Sequence, residues 1–325
     1  MLDVYFYEAF EEEEQALKSY LPDTVSAGFS WKTIQEKGDN DPPAKVISIR
    51  TQSQIPIKWA SQLSGILSRS TGYDHLVKYL KQIDRKIALS YLPLYCSRAV
   101  AEHAMLLWMS LLRKLPRQIK QFQTFDRDGL TGIECQEKKL LIVGVGNIGS
   151  EIAKIGQGLA MEVMGVDLVE KFSFVNYYSI HEVLPKADII VCAMNLTDQN
   201  VNYFNYDFLR KTKTGVIFIN IARGEMSPAQ DLRKLLDEGH LGGLGMDVYS
   251  EESELGVTLR STSASQSKEI QATVELPTRE NVIFTPHNAF NTAEAVARKA
   301  EQSIEQICTF LNTNRFIWPL PGEST

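Results

Sequence analysis

Residues 140–156 read LLIVGVGNIGSEIAKIG, and this stretch restricts the fold more than any other in the chain. Leu140–Val143 are consecutive aliphatic residues, as in a strand buried on both faces. Gly144, Gly146 and Gly149 follow at once and open an amphipathic segment of helical period. A glycine triplet of this spacing means little alone, but between a strand and a helix it has the context of a phosphate cradle. Gly144 allows a tight turn, Gly146 lets a pyrophosphate approach the backbone, and Gly149 lets helix and strand pack closely. The helix N-terminus then offers N–H groups and the positive end of a dipole. The next aliphatic run, Met161–Val166, ends at Asp167. An acid about 20 residues beyond the glycines suits the ribose hydroxyls of an adenosine and repels a 2′-phosphate, so NAD is expected over NADP.

Similar apolar runs recur at Val46–Ile49, Gly65–Leu67, Ile189–Ala193, Val216–Ile221, Leu244–Val248 and Val282–Phe284, with helical patterns between them. Strands alternating with helices predict an α/β protein with parallel sheets covered on both faces. The 325 residues suffice for two domains. With 44% hydrophobic and 23% charged residues, the composition is that of a globular chain. The formal charge of −6 argues against nucleic acid or an anionic membrane as a partner. No apolar run reaches the roughly 18 residues of a membrane helix, and Met1–Phe6 lacks a basic leader. Cys96, Cys135, Cys192 and Cys308 form no C-x-x-C pair, so reduced cysteines, no metal and a cytoplasmic setting are expected. Glu11–Glu14 reads as the solvated start of a helix. Arg98–Leu115 reads as one long helix, too apolar for a single water-facing stripe, and so packed between domains or subunits. Glu251–Glu275, whose centre is polar and Ser-rich, reads as a mobile loop.

The later strand runs end in chemistry. Arg223 follows Val216–Ile221, Asp247 and Glu252 follow Leu244–Met246, and His287 follows Val282–Phe284. Ligands of a parallel sheet gather at the carboxyl ends of its strands, so these groups are expected beside the phosphate cradle. A cation, an acid and an imidazole suit hydride transfer to a 2-oxo acid. The Arg binds a carboxylate and polarises the carbonyl, the His supplies the proton, and the Glu orients the His. His75, His103, His181 and His240 read as satisfied or exposed side chains without such a role.

On these residues the chain resembles the D-isomer-specific 2-hydroxyacid dehydrogenases, and within them the D-lactate dehydrogenase-like branch. The likeness is carried by RSTGYDHL (69–76), YCSRAVAEHA (95–104), VGVGNIG (143–149), INIARGE (219–225), GGLGMDVYSEE (242–252) and TPHNAF (285–290). The resemblance implies Arg223, Glu252 and His287 as catalytic residues, with Glu251 as the alternative should the loop shift by one. It implies a cofactor site of Gly144, Gly146, Asn147, Ile148, Gly149, Asp167, Asn195, Ala222 and Asp247, the last toward the nicotinamide carboxamide. Thr71, Gly72 and Tyr73 match a loop that holds the substrate carboxylate, and Tyr95 matches a pocket Tyr. Two doubly wound, Rossmann/flavodoxin-like domains with a cleft between them are implied, a substrate domain of 1–97 and 291–325 and an NAD domain of 98–290. So is a homodimer through helix 98–115. Asn195 stands where the family usually has Pro. Arg50 and Gln52 lie on a loop that could touch substrate, where a second cation would favour a dicarboxylate or other acidic substrate; the alternative is a surface Arg. A small 2-oxo acid is expected, with pyruvate and D-lactate as the leading pair. The rivals are a branched-chain or aromatic 2-oxo acid and an NAD(H)-sensing corepressor-like binding protein.

Overall fold

The computed structural model describes residues 2–261 and 265–321. The chain divides into two compact units, Met1–Cys96 with Asn291–Thr325, and Ser97–Phe290.

Among the described residues the first unit holds a five-stranded sheet of β1 (Leu2–Phe6), β2 (Ala27–Phe29), β3 (Ala44–Ile49), β4 (Gly65–Ser68) and β5 (Ala88–Ser90). All are parallel, in the order β2-β1-β3-β4-β5. β3 is buried along five of its six residues, because helices cover both faces. One face packs Tyr7, Ile47, Ile49, Trp59, Ile66 and Leu89 into a core. The other receives the helix Ala293–Thr313, whose Phe310 ring fills the space that a side chain at Gly65 would occupy.

The helix Glu11–Tyr20 begins at the acidic run, as its charge pattern predicts. Its solvation differs from expectation. Glu13 is 4% exposed and Lys299, on the helix Ala293–Thr313, is 1% exposed. Glu13 Oε1 accepts from Arg69 Nε at 2.8 Å and from Lys299 Nζ at 2.9 Å. Arg69, fully buried, also donates to Ser48 Oγ and to the Tyr7 carbonyl. Burial alone would raise the Glu13 carboxyl, but Arg69, Lys299 and Arg50 outweigh it and hold it at about 2. Lys299 shares this one anion with two arginines. Burial and their repulsion outweigh Glu13 and bring its ammonium down to about 8.

The second unit holds, among the described residues, a seven-stranded parallel sheet. Its strands are β6 (Lys139–Val143), β7 (Glu162–Val166), β8 (Asn176–Tyr177), β9 (Ile189–Cys192), β10 (Val216–Asn220), β11 (Leu241–Met246) and β12 (Val282–Phe284). The order is β12-β11-β10-β9-β6-β7-β8, so connections run away in both directions from the β6/β9 junction. Leu141, Ile190, Phe204, Phe218 and Leu244, each fully buried, form part of its core. Burial of each such side chain contributes about 1.5–3 kcal/mol.

Two expectations about this unit are corrected. The helix expected over 98–115 is Ser97–Leu112, and a second helix runs Leu115–Phe122. Lys114 between them is left-handed, φ 52°, and Pro116 starts the new helix. The first helix is apolar around much of its girth because it packs on the helix Asn147–Gly158 and on β10 and β11 within the same unit. Trp108 is wholly buried there. The segment expected as a mobile loop is largely helical, at Glu252–Ser261 and Lys268–Glu275. Ser267 caps the second of these through the Ile270 N–H. Residues 262–264 of that segment lie outside the described residues.

Candidate active site

The glycine loop leaves β6 at the point where the strand order reverses, which is where open α/β sheets bind ligands. Gly144 has φ 94°, and a side chain on it would strike the backbone of Ala193 and Met194 at the end of β9. A side chain on Gly149 would overlap the Gly144 carbonyl. Around Gly146 nothing lies within 4 Å of an added Cβ, so the backbone there is open to an approaching group. The helix Asn147–Gly158 starts at Gly146 with no side-chain cap, and Asn147 and Ile148 form its first turn. Asp167 stands exposed after β7 and accepts from Val145 N at 2.6 Å and Val169 N at 3.1 Å. One bond to each oxygen leaves acceptor capacity for two hydroxyls. These residues fit a dinucleotide. Asn195 lies exposed after β9, its carbonyl accepting from Asn200.

Arg223 follows β10 in extended backbone, φ −147°. The fully buried Asn220 fixes the turn beneath it. Its amide nitrogen donates to the Arg223 carbonyl (2.9 Å) and to Ser227 Oγ (2.7 Å), and its oxygen accepts from the buried Ala222 N (3.0 Å). Arg223 itself donates to the Ala222 carbonyl at 2.8 Å. A side chain on Gly224 would overlap the backbone of Tyr249 and Ser250. The turn after β10 is thereby laid directly on the turn after β11.

That second turn carries Glu252, whose Oε2 lies 2.8 Å from His287 Nδ1 while its Oε1 accepts from Tyr249 N. An ionised carboxylate only accepts, so Nδ1 carries the proton of that bond and Nε2 is the nitrogen turned to other chemistry. Both side chains are part-exposed, at 22% and 29%. Glu251 is exposed with φ 56°, and Glu252 rather than Glu251 meets His287. His287 is itself left-handed, φ 51°, a conformation that costs energy and concentrates at functional sites.

Asp247 supplies the restraint that holds it there. It is 1% exposed and accepts from Thr285 Oγ1 (2.6 Å), Asn288 N (2.8 Å) and Ala289 N (2.9 Å), on both sides of His287. His103, read from sequence as a bystander, joins this network through Thr285 Oγ1 at 2.9 Å and lies 3.7 Å from Asp247. Burial lowers its pKa, against the pull of Asp247. Tyr249 closes the set by donating to the Thr285 carbonyl at 2.8 Å. His103 and Tyr249 carry no signal in the sequence because each acts on a loop distant in the chain, and Asn220 because a strand-end amide shows its bonds to Ala222, Arg223 and Ser227 only once the turn is folded. Gly224, directly behind Arg223, was visible in the sequence, but the contact that requires glycine was not.

In the first unit, Thr71, Gly72 and Tyr73 follow β4 and are part-buried. Ser70 Oγ donates to the Gly72 carbonyl and contacts Ser68 Oγ, which contacts His75 Nε2. Tyr73 meets Tyr91 edge-on at 4.9 Å. Tyr95 is buried, its hydroxyl pKa raised by burial first of all, and its carbonyl accepts from Arg298.

Residues 104–289 match the family model described as D-isomer specific 2-hydroxyacid dehydrogenase, NAD binding domain. A D-lactate dehydrogenase of Streptococcus agalactiae is 31% identical over 258 residues, 76% of this chain and of that one. An aromatic 2-oxoacid reductase of Clostridium sporogenes is 31% identical over 230 residues, 69% of each. The D-lactate dehydrogenase of Aquifex aeolicus, solved with NAD and lactic acid, superposes with a TM-score of 0.84 at 25% identity, covering 97% of this chain and 99% of that one.

Proposed function

The chain belongs to the D-isomer-specific 2-hydroxyacid dehydrogenases, NAD-dependent oxidoreductases acting on a CH–OH group, and from that premise we propose that it reduces a small 2-oxo acid with Arg223, Glu252 and His287 as its catalytic residues. The observation that carries this reading is the 2.8 Å Glu252–His287 pair on a turn against which Gly224 lays the Arg223 turn. Pyruvate reduced to D-lactate is the leading pair, supported by the D-lactate dehydrogenases among its relatives. A larger 2-oxo acid is the second reading, supported by the aromatic 2-oxoacid reductase.

Bound NADH supplies the hydride. Gly144, Gly146, Asn147, Ile148 and Gly149 hold its phosphates, Asp167 takes the ribose hydroxyls, and Asn195, Ala222 and Asp247 border the nicotinamide end. Thr71, Gly72 and Tyr73 hold the substrate carboxylate through backbone N–H groups, and Tyr95 lines the pocket. Arg223 pairs with the substrate and stabilises the oxygen as it gains charge. His287 gives the proton from Nε2 to that oxygen, and Glu252 holds the ring and stabilises the imidazolium before transfer. Asp247 also keeps the His287 backbone in its left-handed state. A homodimer and a cytoplasmic setting complete the reading. The homodimer is proposed through the segment 98–115, where the exposed Leu106 supports it together with Ile119, Phe122 and Phe125 just beyond, and four unbridged cysteines support the cytoplasmic setting.

The test is NADH oxidation over a panel of pyruvate, glyoxylate, 2-oxoisocaproate, phenylpyruvate, oxaloacetate and hydroxypyruvate, with wild type and His287→Ala. Turnover of one substrate is expected, with kcat reduced about 100-fold or more in the variant while NADH still binds. Near-normal kcat in His287→Ala would assign the proton to another group. NADH binding without turnover of any substrate would favour the NAD(H)-sensing reading.

A further inference from the structure

The helix Ser97–Leu112 lies on β11 within the second unit, and two glycines of that strand let it come close. A Cβ on Gly243 would stand 3.3 Å from Leu111 Cδ2, and one on Gly245 would stand 3.1 Å from Leu107 Cβ. The strand therefore advances by two residues as the helix goes back by four. Four helical residues span about 6 Å and two strand residues about 6.6 Å, so the two periods keep step. Residues 103, 107 and 111 share a face of the helix, as 243, 245 and 247 share a face of the strand. One step beyond Leu107 and Gly245 come His103 and Asp247. The register thus brings an imidazole to the end of β11, and there the contact turns from apolar to polar.

That contact is a chain of hydrogen bonds with a fixed direction. Thr285 Oγ1 lies 2.6 Å from Asp247 Oδ1 and 2.9 Å from His103 Nε2. An ionised carboxylate only accepts, so the Thr285 hydroxyl gives its one proton to Asp247. Its oxygen then accepts from His103, whose Nε2 carries a proton. This direction holds for the neutral ring and for the imidazolium alike. The chain continues through the backbone. Asp247 Oδ1 also accepts from Asn288 N at 2.8 Å, and its Oδ2 from Ala289 N at 2.9 Å. On the other side, His287 N donates to the Thr285 carbonyl at 2.9 Å. The left-handed backbone of His287, φ 51°, is therefore held from both neighbours by one network.

The network is enclosed, with Asp247 1% and the His103 side chain 16% exposed. Hydrogen bonds in series strengthen one another. Without the bond from His103, the Thr285 hydroxyl is a weaker donor, and it has a second acceptor in the Met246 carbonyl at 3.5 Å. A hydroxyl that turns there leaves Asp247 with two of its three donors.

We propose that His103 is a positioning residue for the proton donor: through Thr285 and Asp247 it holds the His287 ring at the angle from which Nε2 serves the substrate oxygen. This rests on the reading of His287 as that donor. His103 itself touches neither substrate nor cofactor in this scheme.

The test follows NADH oxidation with the best substrate of the panel in wild type, His103→Leu, His103→Gln and Thr285→Val, and in His287→Ala with and without His103→Leu. NADH affinity is read by fluorescence titration. His103→Leu is expected to lower kcat about 10-fold or more, with the Kd of NADH changed less than about threefold. Thr285→Val is expected to lose about as much. His103→Gln recovers most of the rate, since its amide still donates a proton to Thr285. In the His287→Ala background His103→Leu costs nothing further, because the group it positions is gone. A His103→Leu enzyme within about twofold of wild type, equal losses in the Leu and Gln variants, or a loss that persists in His287→Ala overturns the proposal. If His103→Leu does not fold, His103→Gln decides alone: wild-type kcat supports the proposal and a loss of about 10-fold overturns it. Near-normal kcat in His287→Ala overturns the proton-donor reading and this proposal with it. A large loss in His287→Ala with His103→Leu unaffected overturns this proposal alone.

Discussion

Replacing Glu13 by Gln removes the one carboxylate that Arg69 and Lys299 share and leaves two cations buried around a neutral amide. At an effective dielectric of about 20, each contact near 2.8–2.9 Å is a gross attraction of about 6 kcal/mol. Desolvation of the ions consumes several kcal/mol each, so the net is smaller. The carboxyl itself gives a second route to the figure. Its pKa falls from 4.5 to about 2 on folding, worth about 3 kcal/mol. Breaking a buried pair by removing one partner costs about 3–5 kcal/mol, and the two figures agree. For a unit of this size the loss is about 10 °C in Tm. Urea unfolding followed by tryptophan fluorescence reads it well, because Trp31, Trp59 and Trp318 all lie in the first unit. The sign with pH is fixed. A carboxyl depressed by folding contributes stability above its unfolded pKa, so the advantage of wild type over Glu13→Gln is full between pH 4.5 and about 8, where Lys299 loses its proton, and closes as pH falls toward about 2. Adding Lys299→Met to Glu13→Gln is expected to recover part of the loss, since one orphaned cation is gone. A Glu13→Gln protein within about 1 kcal/mol of wild type at neutral pH, with no narrowing in acid, would refute the reasoning.

Two further outcomes concern the second unit. Asp167→Ala is expected to shrink the preference for NADH over NADPH by at least about 10-fold in kcat/KM, and an unchanged ratio means that Asp167 does not touch the ribose. Gly224→Ala is expected to destabilise by about 1–3 kcal/mol and to lower kcat/KM at least about 100-fold by lifting the Arg223 turn off the Glu252 turn. Wild-type turnover in that variant would show that Arg223 does not depend on the contact.

The fold was legible where one residue type dominates a segment. Aliphatic runs such as Leu140–Val143 and Val216–Ile221 have few ways to be buried, and they are strands. The strands Ala27–Phe29, Ala88–Ser90 and Asn176–Tyr177 carry no signal in the sequence, because two or three residues cannot display a period. The break at Lys114 hid within continuous apolarity, although Pro116 marks it. In 251–275 the Ser-rich centre masked the helical runs on either side. Among the candidate site residues, the pairing of Glu252 with His287 is a contact across 35 positions, and local sequence gives only the two ends. Glu13 shows the same limit in stronger form. Four glutamates in a row are alike as text, and one turn of helix decides which of them points at Arg69.

The first unit is made from both ends of the chain, and its ion cluster joins them. On a ribosome, Glu13 and Arg69 emerge early, while Lys299 follows roughly 230 residues later, a delay of about 20 s at ~10 residues per second. Throughout that interval the helix Glu11–Tyr20 has no Ala293–Thr313 helix to cover it, whereas Ser97–Phe290 is already continuous and can complete its own sheet. The unit that begins first is therefore finished last, and its nascent apolar face is the surface that a chaperone would meet.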